Sequence, residues 1–486
     1  MKKLFILLGA VSFLLINNIF AQNEFDALRF SRYYLYGTAR TMGMANAFSA
    51  LGAELGAVAD NPAALGLMKH SDFSISPGFD MTTSEASFNG TNRTDIKYSF
   101  ALNNLGIALA FKLPNPTFKY FNIGLVYSKI LDFNQRTWIQ GNNPKGSMLE
   151  DMVRQANGIE PKNLDPFYTY LAYQVWLLDV ADPNQYIYTN PIHLNNTVYY
   201  GENQNLSAEE SGSGHSTDLV AAVNIKDIAF VGLTLSSISM HYSKISKYTE
   251  SGYPSPVDLK SFDFNEYQKD NVSGYAVKLG LTLAPIKFIR IALAAQSPYF
   301  LKIDDNYHSS MDSYWYTPDT AGHVYYVYQS PVNDYKFKIN TPWRLTTGIA
   351  FIYKDLFALD FDYEYNNYKL IRFQPNPDYT FETENENIAQ YFRATNTYRV
   401  GAEINLNGLQ LRTGYAYYGS AFSRFSPVTV LAGGIGFHMA KTYFDFAVNY
   451  RKSSTVYWLY QPYSDEPVPN VKYGKFLINI TVGTKF

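Results

Sequence analysis

The sequence predicts an all-β membrane protein, a 14-stranded antiparallel transmembrane β-barrel with a short helical N-terminal hatch inside its lumen. Three observations lead to it. The final strand alternates strictly and closes on Phe486. No stretch after the first residues approaches the roughly 20 apolar residues that a spanning helix needs. Aromatic residues make up 17% of the chain, with 42 Tyr and 34 Phe, an excess that suits girdles at two membrane interfaces.

In the final strand Phe476, Ile478, Ile480, Val482, Thr484 and Phe486 share one face. Leu477, Asn479, Thr481, Gly483 and Lys485 share the other. A period of two places successive side chains on opposite faces of a sheet. In lipid every backbone polar group needs an internal partner, so a sheet survives only as a closed barrel. A last strand ending on an aromatic residue is a mark of barrels in the bacterial outer membrane, and that is the expected location. The mean hydropathy of -0.20 agrees, because outward apolar and inward polar residues average out.

The start of the chain fits export. Lys2 and Lys3 precede an apolar run from Leu4 to Ile16, and Ala21-Gln22 offers a small-residue cleavage point. Residues 1–21 therefore read as a secretory signal peptide. The net charge of -2 suggests no nucleic-acid partner, and the absence of cysteine excludes disulfides and thiolate chemistry. The seven histidines show no ligand spacing, so no metal or cofactor is implied. No catalytic constellation is present, and the chain does not read as an enzyme.

Strands and turns alternate along residues 71–486. The strands fall at 71–88, 95–113, 119–133, 215–225, 227–249, 268–285, 286–303, 343–353, 355–373, 390–406, 408–421, 427–440, 441–457 and the terminal segment. Asn407-Gly408 is a strong two-residue turn signal. The clearest strand alternates Phe357, Leu359, Phe361, Tyr363 and Tyr365 with Ala358, Asp360, Asp362 and Glu364. A Lys or Arg at the lipid midplane costs about 2–4 kcal/mol. Arg344, Asp360, Asp362, Glu364, Arg399, Glu403, Arg412, Asp445 and Arg451 all lie opposite the aromatics. They are expected to line the lumen, as a selectivity lining or as filling that stiffens the interior.

One strand breaks its own alternation. Ile96, Tyr98, Phe100 and Leu102 share one parity, and Leu105, Ile107, Leu109 and Phe111 the other. The switch at Asn103-Asn104, just before Gly106, reads as a β-bulge that shapes the barrel or opens its wall.

Residues 22–70 do not read as strand. Met42, Ala45, Ala47, Phe48, Leu51, Leu55 and Val58 have helical spacing, interrupted by Gly43, Gly52 and Gly56. Glycines limit the helices to short pieces, and Asp60-Asn61-Pro62 marks a turn or helix start. So apolar a segment is expected to pack inside the barrel. The long loop 134–214 contains Phe167, Tyr170, Leu171, Val175, Trp176 and Leu178, expected as an exposed apolar helix face suited to ligand capture.

The stretch 37–67, "GTARTMGMANAFSALGAELGAVADNPAALGL", resembles the N-terminal hatch of the long-chain fatty-acid transporter family, the FadL/TodX type. Asn61-Pro62-Ala63 is the most specific point. The blocks at 277–298, 341–351 and 398–418 resemble strand-turn-strand units of that family. The resemblance implies passive uptake of hydrophobic small molecules such as long-chain fatty acids. Ligand is caught at the loops, the hatch shifts around residues such as Gly43, Phe48, Asn61, Pro62 and Ala63, and ligand leaves sideways at a kinked strand. The implied partners are outer-membrane lipid and a hydrophobic ligand. The alternative is a barrel of the same fold serving as scaffold or shuttle, with a protein partner in a secretion or assembly complex.

Overall fold

A computed structural model describes residues 24–377, 379–462 and 466–486. The signal peptide expected over 1–21 lies outside the described residues. The barrel strands are β1 (Asp72–Phe88), β2 (Thr91–Lys112), β3 (Phe118–Asp132, continued by Gln135–Asn143), β4 (Glu202–Ile225), β5 (Ala229–Ser251) and β6 (Leu259–Ile286). Next come β7 (Ile289–Gln296 and Phe300–Trp315), β8 (Tyr325–Gln329, Asn333–Asn340 and Arg344–Tyr353) and β9 (Phe357–Asn367 and Arg372–Gln374). The last five are β10 (Ala394–Leu406), β11 (Leu409–Tyr418), β12 (Val428–His438), β13 (Thr442–Val456) and β14 (Asn470–Lys485). Each pairs antiparallel with the next, and β1 pairs with β14 from Asp72↔Lys485 to Ser87↔Asn470, which closes the sheet.

Closure removes every edge in the hydrocarbon layer. The outward face carries an apolar belt that includes Leu235, Leu279, Leu293, Leu345, Leu411 and Ile480. Phe111, Phe288, Phe357 and Phe444 rim it at one end, and Tyr98, Tyr275, Trp343 and Tyr398 at the other. A barrel with this belt spans a membrane, and its place is the bacterial outer membrane. The short turns, including Asn407-Gly408 with φ of 53° and 98°, mark the periplasmic end, and the long loops mark the extracellular end.

The strands match the expected ones in number and order, but several run further outward. β4 starts at Glu202 rather than 215, β6 at Leu259 rather than 268, and β7 reaches Trp315 rather than 303. Beyond the bilayer both faces of a strand meet water or polar loops, so the apolar alternation that marks a strand fades. Pro298 and Pro342 fall in the breaks of β7 and β8, where a residue without an N–H cannot join the ladder.

Residues 24–68 lie inside the lumen, and Lys69 and His70 are exposed at its rim, where Lys69 lies 3.6 Å from Asp227. The lumenal residues form α1 (Glu24–Ser31), α2 (Ala39–Gly43) and two 3-10 turns, Leu55–Ala57 and Pro62–Leu67. From Leu35 to Gly66 every residue except Arg40 and Ala53 is buried. The extracellular loop after β3 carries α3 (Met148–Ala156) and α4 (Thr169–Gln174).

Candidate functional site

The inward charges hold the lumenal segment by its backbone. Asp362 Oδ2 accepts from the N–H groups of Phe48 and Ser49 at 3.0 and 3.2 Å, and the Ser49 hydroxyl bonds its other oxygen. Asp360 Oδ2 accepts from Ala50 and Leu51 N–H at 3.2 and 3.0 Å. Two neighbouring inward positions of β9 thus satisfy four consecutive backbone donors of a stretch that is not helical. Arg399 reaches Asp60 at 2.5 Å, Asp362 at 3.4 Å and Glu364 at 3.6 Å. Glu403 bridges Arg40 of α2 at 2.7 Å and Arg412 at 2.6 Å, and Arg412 also pairs with Asp445 at 2.6 Å. Arg344 stacks over the Tyr33 ring at 3.4 Å. The charges face the lumen as expected, and their partners are the lumenal segment as much as one another.

Asn61-Pro62-Ala63 sits at the wall. Asn61 Nδ2 donates to Ser49 O at 2.8 Å and Thr282 Oγ1 at 3.0 Å, while its Oδ1 accepts from Ala63 N at 3.0 Å. A Cβ at Gly280 of β6 would strike Asn61 and Ala63, so only glycine admits this approach. Gly43 packs on Gly434 of β12, with 3.2 Å from an added Cβ to the facing Cα. Phe48 is buried, with the Arg40 guanidinium 5.2 Å from its ring centre. These five residues share the lumenal segment but do not form one cluster.

Between the first residues of the segment, Phe25 to Tyr36, and the upper strands and loops lies a cavity of about 460 Å³. Phe25, Leu28 and Arg29 of α1 line it together with Tyr34, Phe425 and Trp458. Arg32, Arg451 and Lys475 also face it, and Lys475 is paired with Asp132. Arg451 donates to Tyr36 Oη at 3.1 Å and lies 4.5 Å over the Tyr34 ring. Arg32 lies 5.2 Å over Phe425. Among the described residues neither has an ion-pair partner, whereas Arg29 pairs with Asp26 at 2.5 Å. The cavity therefore combines aromatic walls with two arginines that lack an ion-pair partner, and the carboxylates of Asp132, Glu210 and Glu364 line it as well. Sequence patterning did not single out α1, Arg32 or the loop aromatics, because their meeting depends on tertiary packing alone.

The wall is broken beside this cavity. The β1–β2 register skips Asn103, pairing Ser76 with Asn104 and Pro77 with Leu102. The β3–β4 register skips Ile130 between Lys129↔His215 and Leu131↔Gly214. Between these bulges the β2–β3 ladder, which runs from Lys112↔Tyr120, stops at Asn104↔Ser128. Beyond that point β3 bends inward: Lys129, Ile130, Leu131 and Phe133 are buried, and Phe133 packs on Tyr242 at 5.2 Å. Phe100 on the abandoned edge of β2 is 84% exposed. Lys97 closes the upper margin by donating to Glu210 O at 2.8 Å and pairing with Glu209 at 2.9 Å. Asn103 donates to Asn479 at 3.1 Å and Asn104 to Ser128 at 3.0 Å. Gly106 lies below the bulge and instead makes room for Leu55.

The loop helix differs from expectation. Leu171, Val175 and Leu178 are fully buried, Phe167 and Tyr170 are half-buried, and only Trp176 is exposed, at 56%. The predicted exposed face is turned inward because the strands rise past the bilayer and offer a wall. Leu171 and Val175 pack there with Met148, Met152 and Phe264.

The sequence matches no family model and no curated protein. The structure resembles that of a FadL homologue from Pseudomonas aeruginosa, with a TM-score of 0.54 over 93% of this chain and 98% of that chain, at 10% identity. The CymD monoaromatic hydrocarbon channel covers 93% of this chain and 99% of its own at 14% identity and a TM-score of 0.49. The Ralstonia pickettii toluene transporter TbuX covers the same shares at 16% identity and 0.49. The barrel thus has the FadL-type fold.

Proposed function

We propose, with the FadL-type fold as premise, that this outer-membrane barrel is a passive channel for hydrophobic small molecules. The lumenal segment acts as a hatch that blocks the axial route. Ligand reaches the cavity from the extracellular side and leaves sideways between β2 and β3. The observation that carries this reading is the β2–β3 ladder ending between two bulges next to the cavity. Burying a methylene is worth about 0.8 kcal/mol, so a long acyl chain that passes from cavity to bilayer avoids a cost on the order of 10 kcal/mol in water. Arg32 and Arg451 favour an amphiphile with an anionic head, such as a fatty acid, over a neutral aromatic compound.

Deletion of Asn103 tests the exit. Without the extra residue β2 has continuous register with β1, which removes the kink on the β2 side of the break. Cells carrying the deletion should show a folded, heat-modifiable barrel and lose uptake of labelled fatty acid. Uptake at the wild-type rate would sink the lateral route.

A further inference from the structure

Lys302 of β7 and Lys338 of β8 stand directly opposite each other in the ladder. Like charges so placed destabilise a sheet. Both point outward, and the Lys302 side chain is 54% exposed. The next outward pair is Asp304 with Lys336. Asp304 lies 3.7 Å from Lys336 and 4.0 Å from Lys302, so one carboxylate faces both. On the neighbouring strand Lys269 is exposed opposite Asn306. Among the described residues Lys338 and Lys269 have no ion-pair partner. Four ammonium groups thus share this outward face with two carboxylates, Asp304 and Asp334, and only Lys302 and Lys336 lie within 4.0 Å of one of them.

Their height on the barrel matters as much as their number. Phe300, one outward step below Lys302, stacks on Tyr275 at 5.1 Å in the extracellular girdle. Leu293, Leu279 and Leu345 of the apolar belt lie beneath. One outward step is about 7 Å along a strand. The lysines therefore stand just above the girdle, at the level of lipid headgroups. Asn271, Asn306 and Ser273 add hydrogen-bonding groups on the same face.

We propose that this face of β6, β7 and β8 binds the phosphorylated headgroup of an outer-leaflet lipid, whose phosphates bridge the opposed Lys302 and Lys338. The proposal rests on the outer-membrane placement and is independent of the transport reading. A phosphate between two ammonium groups turns their repulsion into attraction, which a solvated lysine pair does not achieve.

The test titrates the folded barrel in detergent with bis-phosphorylated lipid A, read by native mass spectrometry. Each lysine near an anionic lipid surface contributes about a fivefold gain in binding. K302Q/K338Q should bind roughly 30-fold more weakly, and each single variant about fivefold. Dephosphorylated lipid A should bind wild type as weakly as lipid A binds the double variant, and salt should weaken only the phosphorylated form. K452Q, an exposed lysine on β13, should bind like wild type. Equal binding by wild type and K302Q/K338Q would overturn the proposal. So would an equal loss in K452Q, or indifference to the phosphates.

Discussion

Replacing Asp362 by Ala removes the acceptor for the N–H groups of Phe48 and Ser49. Both donors are then buried and unpaired, and each such group costs about 1–3 kcal/mol. Arg399 keeps Asp60 at 2.5 Å, so its charge remains answered. Loss of the carboxylate also relieves repulsion with Asp360, two residues away on the same face. The balance is about 2–4 kcal/mol against the docked segment. That is a shift of roughly 30- to 1,000-fold in its docking equilibrium. Amide hydrogen exchange reads this directly. Exchange at Phe48 and Ser49 should accelerate by that factor in D362A, while the Tyr363 and Val400 amides of the β9–β10 ladder stay protected. D362N should lie closer to wild type, because one oxygen serves both N–H groups and an amide carbonyl can replace it. Unchanged exchange in D362A would refute the clamp.

Two further outcomes follow from other parts of the molecule. R32Q/R451Q should lower affinity for a fatty-acid anion by about tenfold, the loss of one charge-assisted contact. Binding of a neutral aromatic probe to the same variant should stay unchanged in fluorescence titration, and an equal loss for both probes would remove the head-group role. In the extracellular loop burial raises the carboxyl pKa of both Asp151 and Asp165 above the ordinary 3.8. The folded loop then binds protons more tightly than the unfolded one, so its stability falls as pH rises from that value through the raised pKa. Limited proteolysis of the loop should be faster at about pH 8 than at about pH 4, near the ordinary value, and D165N should shrink the difference. Greater resistance at the higher pH would contradict the burial argument.

Much of the barrel was legible because lipid on one side and a polar lumen on the other force alternation. The strand order, the inward charges of β9 to β13 and the parity switch at Asn103 all came from that rule. The upper halves of β4, β6 and β7 were not legible, since the outward face there is polar. The loop helix misled for a related reason. An apolar face on Leu171 and Val175 signals burial against something, and the sequence does not say whether that is ligand or wall. The clamp at Asp360 and Asp362 was visible only as two inward carboxylates. Their partners are backbone N–H groups, which carry no side-chain signal. The facing bulge at Ile130 left no parity switch to read, because β3 turns into the protein and its residues are buried on both faces there.

The central claim is that the cavity carries hydrophobic small molecules to the break beside it. Native mass spectrometry of the barrel, extracted gently from its own outer membrane, tests this most directly. The account requires a small acyl or aromatic ligand retained by the barrel, lost on deletion of the cavity aromatics Phe425 and Trp458 to alanine, and no stoichiometric protein partner. An empty lumen with a bound protein in fixed ratio would contradict it and favour a scaffold role.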